Sequence, residues 1–126
     1  MTERTLRDCH ILVVEDEYLL ADELATNLSD AGAVVIGPVA TVEDALALID
    51  AEPRIDGAVL DANLQGALSF PVADRLLERG VPFVFTTGYN RSMIPSPYRE
   101  IVRCDKPVDL AQVARVIGKV IHSEAK

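Results

Sequence analysis

Residues 57–64, Gly-Ala-Val-Leu-Asp-Ala-Asn-Leu, decide how the rest of the chain reads. Ala58 to Leu60 form a short apolar strand that ends on a carboxylate, Asp61. In a sheet flanked by helices, ligands bind beyond the carboxyl ends of the strands. A single Asp there is ordinary, because Asp suits the turn that follows a strand. Three other apolar runs end in the same polar way. His10–Val14 (HILVV) stops at Glu15-Asp16-Glu17, 82–86 (PFVFT) at Thr87-Gly88, and 101–105 (IVRCD) at Lys106-Pro107.

Working outward, strands and helices alternate. Residues 1–8 read as a loose polar tail. Tyr18 to Ala31 carries Leu20, Leu24, Leu28 and Ala31 at helical spacing, with Gly32 as its stop. Val34 to Ile36 is a second strand, ended by Gly37-Pro38. Thr41-Val42-Glu43-Asp44 resembles a capping box, and Val42, Ala45, Leu46 and Ile49 form the next stripe, closed by Pro53. After the Asp61 strand come a loop, Asn63 to Ser69, and a helix from about Pro71 to Arg79 with Ala73, Leu76 and Leu77 inward. Val81 to Thr86 is the fourth strand. Tyr89 to Glu100, with Pro95 and Pro97, is a short or broken fourth helix. Ile101 to Cys104 is the fifth strand, and Asp109 to His122 a clear amphipathic last helix. Strict alternation implies a parallel sheet with right-handed crossovers. The expected fold is α/β, a flavodoxin-like three-layer sandwich of five βα units with strand order 2-1-3-4-5.

The chain has 126 residues, enough for one domain with a real core. A formal charge of −8 argues against a nucleic-acid backbone binder, which needs a basic stripe, and against anionic membrane surfaces. No apolar run is long enough to span a membrane, and the N-terminus carries no signal core, so the expected location is cytoplasmic. Cys9 and Cys104 have neither metal nor redox spacing, and in this strand order they are too far apart to bridge.

Strand order 2-1-3-4-5 brings Glu15, Asp16, Asp61, Thr87 and Lys106 to one sheet edge. Three neighbouring carboxylates repel one another, and hard oxygen ligands favour Mg2+. A lysine can pair with Asp61 at rest and with an arriving anion later, and a threonine hydroxyl can donate to an anionic oxygen. Such a set suits phosphoryl transfer onto a carboxylate. Each residue taken singly has a plainer reading. Glu15-Asp16-Glu17 could be an acidic helix start favoured by the helix dipole, Thr87 a turn residue, and Lys106-Pro107 a surface dipeptide. The proline also suits a cis bond that aims the lysine.

Together, VVEDE with Glu15 and Asp16, VLDANL with Asp61, FTTG with Thr87 and DKP with Lys106 resemble the receiver domain of two-component response regulators, over nearly the whole chain. The resemblance implies that Asp61 accepts a phosphoryl group from a phosphohistidine on a sensor histidine kinase or phosphotransfer protein. It implies that Asp16 and Asp61 ligate Mg2+ directly, Glu15 acts through water, and the Asn63 main-chain carbonyl completes the protein ligands. Thr87 and Lys106 would contact the phosphoryl oxygens. PFVFTTGY is similar to a Phe-Ala-Thr-Gly-Tyr subgroup of single-domain receivers typical of alphaproteobacteria, with Thr86 in place of Ala. Such a protein is a signalling phosphoacceptor rather than an enzyme, its only chemistry being self-catalysed transfer and autodephosphorylation. Its output is contact with a downstream protein, or a homodimer, through the face made by the fourth helix, fifth strand and fifth helix.

The chain departs from the family pattern at three places. Glu15 stands where Asp is commoner, Gln65 replaces the usual Pro four residues after the acceptor, and Arg103 replaces the aromatic of strand five. With that aromatic missing, activation is expected to act on Gly88 to Arg99, and Tyr89 to sit at the mouth of the site, as a shield or as packing. A binding module that keeps the fold without phosphate remains the alternative. A flavin site would want a phosphate loop where Glu15-Asp16-Glu17 stands, and an aspartyl phosphatase a second Asp where Asn63 stands.

Overall fold

The computed structural model describes residues 6–64, 66–88, 98 and 100–124. Five strands form one sheet: β1 (His10–Val14), β2 (Val34–Val39), β3 (Gly57–Asp61), β6 (Phe83–Thr87) and β7 (Arg103–Asp105). Their order is β2-β1-β3-β6-β7, and every pair is parallel. Counting only these strands in chain order, this is the expected 2-1-3-4-5. The helices are α1 (Tyr18–Asp30), α2 (Val42–Ala51), α3 (Phe70–Glu78) and the final α4 (Leu110–Glu124). Among the described residues no helix is long and apolar enough to cross a membrane.

Alternation along the strands builds two cores. Leu12, Val14, Ala58, Leu60, Phe83 and Phe85 pack with Ala45 and Ile49 of α2 and Val72, Ala73 and Leu76 of α3. Ile11, Val13, Val59 and Val84 face the other way, onto Leu24 and Leu28 of α1 and Val113, Ile117 and Ile121 of α4. Period two in the strands and 3.6 in the helices thus give three layers. Gly57 lets α4 come close. A Cβ there would lie 2.7 Å from Ile121 Cδ1 and 2.9 Å from its Cγ1. Thr41 caps α2 by accepting from Asp44 N–H at 3.1 Å. At the other end of α2, Arg79 binds the carbonyls of Ile49, Glu52 and Pro53.

Several boundaries differ from the sequence reading. β2 runs on through Gly37 and a cis Pro38 to Val39. It is an edge strand, where a proline removes no needed donor, and the register shift between Leu12 and Val14 absorbs the kink. The fifth strand starts at Arg103, not Ile101, because the Ile101 N–H closes a turn on the Tyr98 carbonyl at 3.1 Å. The expected loop from Asn63 contains a miniature hairpin of β4 (Asn63–Leu64) and β5 (Ala67–Leu68). In α3, Val72 is buried and Leu77 is exposed, reversing the expected inward face at that position. The supposed tail plugs the core with Leu6, fully buried. Both cysteines are free and buried, and burial pushes both thiols above their ordinary pKa. The expected fourth helix, Tyr89 at the mouth, Gln65 and most of the segment expected to rearrange lie outside the described residues.

Candidate functional site

Each strand end delivers one part of the site, because parallel strands share one carboxyl edge. The Glu15 N–H donates to the Val39 carbonyl at 2.9 Å, so the acidic run leaves β1 tied to β2. The Lys106 N–H donates to the Thr87 carbonyl at 2.8 Å, which seats the lysine beside the end of β6. The Lys106–Pro107 bond is cis.

Lys106 Nζ is the hub. It lies 2.8 Å from Asp61 Oδ2, 3.0 Å from Glu17 Oε2 and 3.4 Å from Glu15 Oε2. The side chains of Glu15 and Asp61 are only 1% and 4% exposed, whereas Glu17 is 62% exposed, so the first two contacts are little screened by water. Asp61 Oδ1 accepts from Asn63 N–H at 3.0 Å. Glu15 Oε2 accepts from Glu17 N–H at 3.0 Å. Asp16, Glu17, Asp61, Asn63, Gly66, Gly88 and Lys106 line an open cleft of about 350 Å³. Glu15 and Thr87 are buried and do not line it. An apolar hollow of about 330 Å³ at the opposite sheet edge, lined by Leu77, Phe83, Ile101 and Val120 among others, holds none of these groups.

The charges are strongly coupled. Burial, and then the neighbouring Asp61 carboxyl, push the Glu15 carboxyl up to about 8. The Glu17 N–H and Lys106 pull it the other way. Burial works against the Lys106 ammonium, but its bonds to Asp61 and Glu17 more than offset that, so its pKa rises.

Glu15, Asp16 and Asp61 each offer a carboxylate oxygen, and these oxygens all lie within 4.8 Å of one another. Glu15 Oε1 is buried with no hydrogen-bond partner. An acceptor left without a donor, among hard oxygens around one point, fits a divalent cation of the Mg2+ type. The Asn63 side-chain oxygen is taken by Gly66 N–H at 2.7 Å, within the hairpin.

All six residues read from the sequence therefore reach one edge: Glu15, Asp16, Asp61, Asn63, Thr87 and Lys106. Sequence reasoning gave no role to Glu17, although it is the third acid of the run after β1. It also missed Ser69, whose hydroxyl donates to the Asp61 carbonyl at 2.6 Å. Its position just before a helix signals a cap and nothing more.

No protein-family model and no curated protein matches the chain. Solved structures do. The solution structure of SdrG from Sphingomonas melonis Fr1 is 37% identical, covering 94% of this chain and 98% of that chain, with a TM-score of 0.72. The signal receiver domain of a modulated diguanylate cyclase from Desulfovibrio desulfuricans G20 is 27% identical over 94% of this chain and 97% of that one, with a TM-score of 0.77. A CheY-like response regulator receiver domain protein from Methanospirillum hungatei JF-1 has a TM-score of 0.82 at 22% identity, over 94% and 97% of the two chains, a likeness of fold alone. Fold and strand-edge site define a phosphoacceptor-type signalling module. The chain belongs to the response-regulator receiver-domain family.

Proposed function

We propose that Asp61 is the phosphoacceptor of a two-component phosphorelay. The reading rests on one observation above others: a buried aspartate at the mouth of the cleft, held by Lys106 at 2.8 Å and flanked by two further carboxylates. In the transfer, the N–P bond of a phosphohistidine on a sensor kinase or phosphotransfer protein breaks. An O–P bond forms to an Asp61 carboxylate oxygen, and the leaving imidazole keeps the electron pair and takes up a proton. Lys106 exchanges its contact with Asp61 for one with the phosphoryl oxygens, and Thr87 donates to another of them. Glu15, Asp16, Asp61 and Asn63 would hold Mg2+, which when bound neutralises charge on the phosphoryl oxygens. Asp61 is the group that attacks, and the buried strand ends keep it in line.

The output is contact with a downstream partner in the cytoplasm, and PFVFTTGY supports a reading among the Phe-Ala-Thr-Gly-Tyr receivers. The test is phosphorylation by a small acyl-phosphate donor with Mg2+, read by intact mass on wild type and Asp61→Asn. A single adduct that needs Mg2+ and is lost in the variant is expected. Folded wild type that takes no phosphate from this donor or from a histidine kinase would favour a phosphate-independent binding module instead.

A further inference from the structure

Ser69 stands directly before α3, where a serine hydroxyl ordinarily accepts from an N–H of the first helical turn. Here it makes no capping bond. The hydroxyl donates instead to the main-chain carbonyl of Asp61 at 2.6 Å, and Ser69 is fully buried. Its N–H adds a second tie, to the Ala62 carbonyl at 3.0 Å. Ala62 N–H in turn donates to the Thr86 carbonyl at 3.0 Å, which fixes this stem to β6. The segment from Asp61 to Ser69 is thus closed on itself, with the β4–β5 hairpin inside the closure.

Holding the Asp61 carbonyl fixes the peptide plane through which the chain leaves the acceptor. That plane determines where Asn63 comes to rest. Asn63 N–H donates to Asp61 Oδ1 at 3.0 Å, and Asn63 lines the cleft. One buried hydroxyl therefore governs both the orientation of the Asp61 carboxylate and the approach of Asn63. A helix-capping hydroxyl diverted in this way acts on the site rather than on the helix.

On the phosphoacceptor reading of Asp61, we infer that Ser69 is a positioning residue that sets cation affinity and reactivity at Asp61 through the acceptor's own main chain. The experiment compares wild type, Ser69→Ala, Ser69→Thr and Ile49→Val. Ile49 is a fully buried residue of α2 and is not among the cleft residues, so its variant controls for general loosening. Three quantities are read: Mg2+ affinity from the amide resonances of Asn63 and Gly88 without a phosphodonor, Asn63 amide exchange without metal, and phosphorylation rate at low and saturating Mg2+.

Ser69→Ala should weaken Mg2+ binding about tenfold, the lower end for residues that orient metal ligands. It should also speed Asn63 exchange, and slow phosphorylation far more at low Mg2+ than at saturation. Ser69→Thr, which keeps the hydroxyl, should restore affinity. If the added methyl does not fit, Asn63 exchange in Ser69→Ala decides alone. Wild-type Mg2+ affinity and Asn63 exchange in Ser69→Ala would overturn the inference, as would an equal Mg2+ defect in Ile49→Val. Wild type that takes no phosphoryl group removes the phosphoacceptor reading, and this inference goes with it. Phosphorylated wild type with an indifferent Ser69→Ala removes only the inference.

Discussion

Replacing Lys106 by Met keeps most of the side chain's volume and deletes the one cation that, among the described residues, faces the buried acids. Nζ lies 2.8 Å from Asp61 Oδ2 and 3.4 Å from Glu15 Oε2. At an effective dielectric constant of about 20, those separations correspond to roughly 6 and 5 kcal/mol of gross attraction. Desolvation of all three groups opposes this, and the net cost of removing one partner of a buried pair is about 3–5 kcal/mol. The exposed contact to Glu17 adds little.

The protein has an escape route, which makes the cost depend on pH. Glu15 titrates near 8 in the folded chain against 4.5 ordinarily. Between those values the folded state binds more protons than the unfolded state, so metal-free stability falls as pH rises through the window. Lys106 pulls the Glu15 carboxyl down, so Lys106→Met raises it further and carries the fall to higher pH. The raised ammonium stays charged throughout this range and adds no slope of its own. Urea unfolding with a chelator present, at pH 5.5 and 8.5, is the assay. The expected loss is about 3–5 kcal/mol at the higher pH and up to about 1 kcal/mol smaller at the lower. Adding Asp61→Asn should recover part of the loss, because it removes a charge that the methionine leaves unpaired. A loss that Asp61→Asn relieves at neither pH would mean that Lys106 stabilises through its aliphatic stem, and the electrostatic account would be wrong.

Two further outcomes test the packing. Gly57→Ala should cost about 1–3 kcal/mol in urea unfolding, because its Cβ would meet Ile121 Cδ1 at 2.7 Å and the pair must shift. Ile121→Val in the same chain should return part of that, and no change in Gly57→Ala would show that α4 yields freely. In α3, Leu76→Ala should cost about 2–5 kcal/mol. Leu77→Ala should stay within about 0.5 kcal/mol because that side chain is exposed. The opposite order would restore the inward face read from the sequence.

The parts of this molecule that were legible in the sequence are those where one residue type has one physical use. Apolar runs ending on Asp61, Thr87 and Lys106 fixed the sheet edge, because a buried parallel strand must be apolar and its end need not be. The long stripes of α1 and α4 marked their core faces at 3.6-residue spacing. Short elements were not legible. Strands of two residues, β4 and β5, carry no period to detect. α3, nine residues long with Pro71 in its first turn, leaves Leu76 and Leu77 nearly equivalent by pattern, and contact with the sheet chooses between them. Leu6 was misplaced because the residues around it are polar, although a single leucine can join the core that holds Leu24 and Leu28 of α1.

The deeper limit concerns the side chains that have two uses. Ser69 reads as a helix cap and Glu17 as an acidic helix start, and both are plausible locally. In the fold the Ser69 hydroxyl makes no cap, and Glu17 does more than open α1. Ser69 turns back to the Asp61 carbonyl, and Glu17 reaches the lysine at 3.0 Å while its N–H holds Glu15. The first choice is made by a carbonyl eight residues back, across the short hairpin, and the second by a lysine 89 residues away that becomes a neighbour only when the strands align. Among the described residues the result is one ammonium against Glu15, Glu17 and Asp61, more negative charge than that lysine can balance. An incoming phosphoryl group adds still more. On the proposed chemistry, transfer to Asp61 therefore requires a cation as well as Lys106, and acceptance without divalent metal should be slow in wild type and slower still in Lys106→Met.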